Sequence, residues 1–125
     1  MEHSGCEPYA FTNMFLGPAN PRPGFAMFGW ISGTAGWAFR AVTQDMLGFH
    51  PDFNGFELRP CLPSEWEGCR FERQFRENRY RVQIRNPHHR QYGVVSLELD
   101  GAALDGAFVP YIPDGRTHDI VVTMG

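Results

Sequence analysis

The chain has 125 residues, a formal net charge of −3, 42% hydrophobic residues and 14% aromatic residues. That is enough apolar material for a core and it argues against bulk disorder. The negative balance argues against a nucleic-acid partner, which needs a basic face.

Taken in chain order, residues 8–16 read as a short helix, with Pro8 at the first helical position and Gly17-Pro18 as the stop. Tyr9, Phe11, Met14, Phe15 and Leu16 cover most of its circumference, so it is expected to be buried on most sides. Glu7 and Asn13 are its polar exceptions; Asn13 reads as a buried amide that ties down a loop or as a ligand contact. From Gly17 to Gly29 the three prolines Pro18, Pro21 and Pro23 make a stiff, turn-rich loop. Phe25, Met27, Phe28 and Trp30 then form an aromatic patch, for which packing is the commoner job and sugar stacking the rarer one.

The main helix is expected over about residues 33–47, with Trp37, Ala38, Ala41, Val42 and Met46 near the helical period and Gly48 as its C-cap. Its head is Trp30-Ile31-Ser32-Gly33-Thr34-Ala35-Gly36-Trp37. Ser32 and Thr34 are hydroxyl residues suited to capping, while Gly33 and Gly36 remove Cβ atoms where a ligand or a neighbouring backbone comes close. Such a head suits an anion, and plain capping and close packing produce the same residues.

After Gly48, Pro51, Gly55, Pro60 and Pro63 mark a connecting segment, and strands are expected from about residue 56 onward. Phe71, Arg73 and Phe75, then Tyr80, Val82 and Ile84, then Val95, Leu97 and Leu99 alternate with polar residues, the pattern of half-buried antiparallel strands. Asn86-Pro87, Asp100-Gly101, Asp105-Gly106 and Asp114-Gly115 punctuate them as turns, with Asp100-Gly101 the clearest hairpin signal. Ile120 to Val122 forms a last strand.

All 11 basic residues are Arg; arginine suits sugar and phosphate contacts, and a GC-rich genome gives the same bias. Cys6, Cys61 and Cys69 are odd in number with no close pair, so free thiols in a reducing compartment are expected. There is no four-ligand metal pattern, and His88-His89 reads as a solvated loop pair. Met1 to Gly5 carry no basic or apolar leader, and no stretch is long and apolar enough to span a membrane. The expected setting is the cytoplasm, with no membrane or nucleic-acid partner.

Four segments together, Glu7 to Pro18, Trp30 to Trp37, Leu47 to Phe56 and Arg59 to Trp66, resemble glycoside hydrolase family 94 in order and spacing. Those enzymes are inverting disaccharide and oligosaccharide phosphorylases, and the match is to their carboxy-terminal end. Thr12-Asn13-Met14 looks closest to the cellodextrin phosphorylase branch. The resemblance implies an α+β chain: residues 1–50 as the last helices of an (α/α)6 catalytic barrel, and residues 51–125 as connector and carboxy-terminal antiparallel β-sandwich. It also implies that most of the enzyme lies outside this chain.

The implied activity is phosphorolysis of a β-linked glucoside such as a cellodextrin, giving glucose 1-phosphate. Phosphate is then a substrate and no cofactor is called for. By residue-by-residue match the phosphate-binding hydroxyl and glycine fall on Ser32 and Gly33, with Thr34 as a further hydroxyl. Ser32 stands where Thr is more usual, and Asn13 where many relatives carry a Gln that helps bind donor sugar or phosphate. Glu7 holds the loop or touches the site. No aspartate matches the family's general acid, so no catalytic residue is assigned and the isolated chain is expected to be inactive. The implied partners are a β-glucan oligosaccharide, phosphate and the missing amino-terminal portion; relatives are commonly homodimers. The competing reading is a stand-alone carbohydrate-binding or structural β-module without catalysis, with Arg73, Arg76, Arg79, Arg81 and Arg85 on its surface.

Overall fold

The computed structural model describes residues 5–6, 10–29 and 33–125. The chain divides into two compact units, Met1–Ala41 and Val42–Gly125.

In the first unit, residues 10–16 are not helical; Glu7 to Tyr9 lie outside the described residues. Met14–Phe15 is instead a short strand, β1, paired antiparallel with β2, Ala26–Met27. The cause is local competition for the backbone. Thr12 Oγ1 accepts the N–H groups of Met14 (3.2 Å) and Met27 (3.1 Å), and the Leu16 N–H donates to the Phe25 carbonyl (2.9 Å). A segment apolar all round has no solvated face to direct helix formation, so a hairpin-like closure that satisfies these groups takes its place.

The expected main helix is present as α1, Thr34–Arg40, followed by a π-helical turn at Ala41–Met46. The widening is seen in the Leu47 N–H, which donates five residues back to the Val42 carbonyl at 2.9 Å. Gly48 then ends the run with φ +74°. A Cβ there would lie 2.1 Å from the Arg59 carbonyl carbon, so only glycine fits. No residue of α1 is buried, and Ala26 is the one buried residue among the described residues of this unit.

The second unit is a β-structure of two sheets around one core. The smaller has the order β3-β4-β9, from Phe49–Asp52, Gly55–Leu58 and Phe108–Pro110. The larger has the order β5-β6-β10-β7-β8, from Gly68–Phe75, Asn78–Arg85, Thr117–Thr123, Ser96–Leu99 and Ala102–Leu104. Strand structure therefore begins at Phe49, earlier than the proline content suggested. Pro51 is tolerated because β3 is an edge strand, where a missing N–H costs no ladder bond.

Alternation decides which faces meet. Tyr80, Val82 and Ile84 of β6, Leu97 and Leu99 of β7, and Ile120 and Val122 of β10 are buried against Phe49, Phe56, Leu58 and Val109. Phe56 is 0% exposed and its ring lies 4.9 Å from Tyr80 and 4.5 Å from Phe49, centroid to centroid. Each such fully buried side chain stabilises by roughly 1.5–3 kcal/mol relative to exposure. The Asp100-Gly101 turn is as expected: φ is +51° and +82°, the pair of positive values that a tight two-residue hairpin demands. One pairing differs from the antiparallel expectation. β10 runs parallel to β6, from Thr117 opposite Arg79 to Thr123 opposite Arg85. Side-chain alternation is the same in both directions, so the pattern could not specify it.

Candidate functional site

Two side-chain groupings stand out, one in each unit. The first is the head of α1. Ser32 and Glu7 lie outside the described residues. Gly33 occupies the N-cap with φ −74° and ψ −1°, and no side-chain hydrogen bond caps the helix. Those angles suit any residue, and a Cβ on Gly33 would meet nothing within 4 Å among the described residues. Neither backbone conformation nor packing within this unit requires glycine there. The missing side chain leaves open space at the helix head.

Thr34, the first helical residue, donates its hydroxyl to the Thr12 carbonyl at 3.2 Å. Thr12 is the hub of the loop: beyond the two N–H groups it accepts, its own proton can go to the Met27 carbonyl at 2.5 Å or the Met14 carbonyl at 2.9 Å. The exposed Asn13 follows it directly. Of the five expected site residues, Gly33 and Thr34 are consecutive at the helix head, and the Thr34 hydroxyl bond holds there Thr12, the chain neighbour of Asn13. Thr12 is the residue the sequence reading passed over. Its signal was a hydroxyl beside an Asn at the start of an apolar run, a usual place for local side-chain-to-backbone bonding.

The second grouping was not anticipated. His118 is 5% exposed at the start of β10, with its Nδ1 2.7 Å from Asp100 Oδ2 and its Nε2 3.1 Å from Asp114 Oδ1. The Tyr80 ring stacks on the imidazole, centroids 5.4 Å apart. The buried Asn78 amide nitrogen lies 3.3 Å from Nε2, and its oxygen accepts the Gly115 N–H at 2.9 Å. The hydrogen bond to Asp100 raises the His118 pKa from its ordinary value, against the opposing effect of burial. At Asp100, burial favours the neutral acid but is outweighed by hydrogen bonds from His118 and the Asp119 N–H, so its pKa is lowered. At Asp114 the Arg116 N–H bond leads, aided by His118, in the same direction. Both ring nitrogens face separate carboxylates, which suits an imidazolium better than a metal ligand. Parity could have found this group: with Ile120 and Val122 facing inward, period two puts His118 inside as well.

The exposed arginines of the β unit are partly neutralised where they stand. Arg81 pairs with Asp119 at 2.5 Å and Arg79 with Glu72 at 3.6 Å. None of Cys6, Cys61 and Cys69 forms a disulfide among the described residues, and burial raises the Cys69 pKa. Among the described residues no helix is long and apolar enough to cross a membrane.

Comparison with known proteins places the chain. Residues 1–48 match the family description "Glycosyl hydrolase 94 superfamily, catalytic domain", and residues 49–101 match "Glycosyl hydrolase family 65, C-terminal domain". The chain is 51% identical over 123 residues to solabiose phosphorylase of Paenibacillus borealis, covering 98% of this chain and 16% of that protein. It is 38% identical over 119 residues to N,N'-diacetylchitobiose phosphorylase of Vibrio proteolyticus, covering 95% of this chain and 15% of that protein. To 3-O-beta-D-glucopyranosyl-beta-D-glucuronide phosphorylase of Paenibacillus borealis it is 30% identical over 122 residues, covering 97% and 16%. The chain therefore spans about a sixth of the length of these relatives. With residues 1–48 matching its catalytic domain, and phosphorylases aligned along nearly the whole chain, this chain belongs to glycoside hydrolase family 94.

Proposed function

We propose that this chain is the carboxy-terminal part of an inverting disaccharide phosphorylase and that it supplies part of the phosphate and donor-sugar site. What carries the reading is the 51% identity to a phosphorylase over 98% of the chain. In the reaction a phosphate oxygen attacks the anomeric carbon as the glycosidic C–O bond breaks, and a carboxylic acid protonates the leaving oxygen. Phosphate takes the place of the activated water of a hydrolase, so one acid suffices. That acid lies in the part of the enzyme outside this chain, and the chain alone is inactive.

Ser32, Gly33 and Thr34 receive the phosphate, and Asn13 and Glu7 stand on the donor-sugar side. The Thr34–Thr12 bond supports this arrangement, because it fixes the loop bearing Asn13 against the helix head. The conformation of Gly33 supports it too, since the open space there is what an anion approaching backbone N–H groups needs. Residues 1–50 are the terminal part of an (α/α)6 barrel, to which they bring α1 with its π-helical turn and the paired β1–β2 loop. The exposed Phe11, Phe15, Phe28, Trp37 and Phe39, each more than half exposed, then pack on the missing amino-terminal portion. Residues 51–125 close the enzyme as a structural β-domain, consistent with their self-contained core. The substrate class is a β-linked disaccharide or short oligosaccharide; the 51% identical relative makes solabiose the first candidate, and the Thr12-Asn13-Met14 resemblance makes cellodextrins the second. The enzyme works in the cytoplasm as a homodimer.

A chimera tests this. The matching segment of the Paenibacillus borealis solabiose phosphorylase is replaced by this chain, and phosphorolysis of solabiose is measured with and without phosphate. Phosphate-dependent turnover is expected. A folded chimera without it contradicts the reading.

A further inference from the structure

The two carboxylates of the His118 cluster are satisfied together by only one protonation state of the ring. Ionised carboxylates accept hydrogen bonds and do not donate. Asp100 Oδ2 at 2.7 Å from Nδ1 and Asp114 Oδ1 at 3.1 Å from Nε2 therefore both require an N–H, and the ring carries two protons. The ring is shielded: the His118 side chain is 6% exposed, so water cannot take over a lost hydrogen bond. The two carboxylates, by contrast, sit at partly exposed positions, 49% for Asp100 and 27% for Asp114.

We propose that His118, Asp100 and Asp114 form a protonation-dependent latch, closed while the imidazole holds both protons, that opens on the Asp114 side when Nε2 loses its proton. Asn78 decides the side. Its amide nitrogen lies 3.3 Å from Nε2, and with an imidazolium this is a contact between two donors. Once Nε2 carries a lone pair the same contact becomes a hydrogen bond, made by the Asn78 proton that otherwise goes to the Tyr80 hydroxyl at 3.3 Å, while the other proton stays on the Ile112 carbonyl. Asp114 then faces a lone pair and leaves. Asp100 stays, because Nδ1–H remains its donor and its other oxygen accepts the Asp119 N–H at 2.8 Å.

The groups facing the ring come from every element around it. They are Asn78 and Tyr80 on β6, Asp100 in the β7–β8 turn, and Asp114 in the loop before β10, where Arg116 donates its N–H to Asp114 at 3.0 Å. Asp119 is engaged by Arg81 at the exposed face. The raised His118 pKa and the lowered carboxylate values agree with the closed state near neutrality. What is released is the Asp114 side chain, and with it the bond to the Arg116 N–H just before the parallel strand β10, while Ile112 and Gly115 stay on Asn78.

The test is nitrogen-detected NMR of the histidine side chains of the 125-residue chain through a pH titration, with amide exchange of Arg116 followed alongside and corrected for intrinsic base catalysis. The latch requires His118 to keep both ring protons past the ordinary histidine value of 6.5. When it then loses one it becomes the Nδ1–H tautomer, and Arg116 loses protection together with it. Asp114→Asn lowers the His118 midpoint. Loss of the second His118 ring proton at or below the ordinary histidine value of 6.5, a neutral Nε2–H tautomer, or Arg116 protection indifferent to the His118 titration would each overturn the latch.

Discussion

The Thr34 hydroxyl donates to the Thr12 carbonyl at 3.2 Å, and this one bond joins the first turn of α1 to the loop that carries Asn13. In a phosphorylase, the helix head and the donor-sugar loop are then a single positioned element. Removing the hydroxyl separates them without removing any group proposed to hold Asn13 itself.

Thr34→Val is accordingly expected to weaken substrate use in the chimera. A neutral hydrogen bond is worth about 0.5–1.5 kcal/mol, so kcat/KM should fall by roughly two- to tenfold. Steady-state kinetics over both substrates checks it; unchanged constants would mean the loop holds its place through Thr12 and its strand partners alone.

Gly33 separates ligand from fold. Because its φ is −74° and a Cβ meets nothing within 4 Å, Gly33→Val should leave the thermal unfolding of the isolated chain nearly unchanged. In the chimera the same change should sharply weaken phosphate use, since its side chain fills the space the anion needs. Loss of stability in the isolated chain, with phosphate use intact in the chimera, would reverse the assignment.

The β core carries the stability of the second unit. Phe56, 0% exposed and ringed by Phe49, Phe75 and Tyr80, should cost about 3–5 kcal/mol on truncation to Ala. Urea unfolding of the chain followed by tyrosine fluorescence measures it. A loss within about 1 kcal/mol would be too small for a well-packed buried aromatic.

Stability against pH should show two limbs. The raised His118 pKa contributes stability that is complete below the ordinary histidine value of 6.5 and is lost as pH climbs through the raised value. The lowered Asp100 and Asp114 contribute stability that is present above the ordinary 3.8 and is lost as pH falls through their lowered values. The urea midpoint should therefore be flat between these limits and fall on either side. Asp100→Asn should flatten the alkaline limb.

How far the sequence reached is clearest at particular residues. Tyr80, Val82 and Ile84 alternate with charged neighbours, and every one of them is buried, because a half-buried strand leaves its period in the residues. Asp100-Gly101 declared its hairpin for the same local reason. The segment before Gly17 did not declare itself: apolar residues all round it carry no direction, and the bonds that Thr12 makes across 15 residues decide its form. The parallel β6–β10 pairing joins strands more than 30 residues apart, and nothing local encodes strand direction. At the site, hydroxyls and glycines were legible at the helix head. The His118 group was not, because Asp100 and Asp114 were each already explained as turn residues beside a glycine.

The central claim is that this chain brings the phosphate-holding head of the main helix to a phosphorylase. It is tested most directly by the initial rate of the Ser32→Ala chimera against phosphate concentration. A hydrogen bond to a charged oxygen is worth roughly 1.5–3 kcal/mol, so phosphate affinity, or the rate at fixed phosphate, should fall by about ten- to a hundredfold. The thermal midpoint should move little, since a lost helix cap costs about 1 kcal/mol. A lowered midpoint with the phosphate response of the parent chimera would contradict the account.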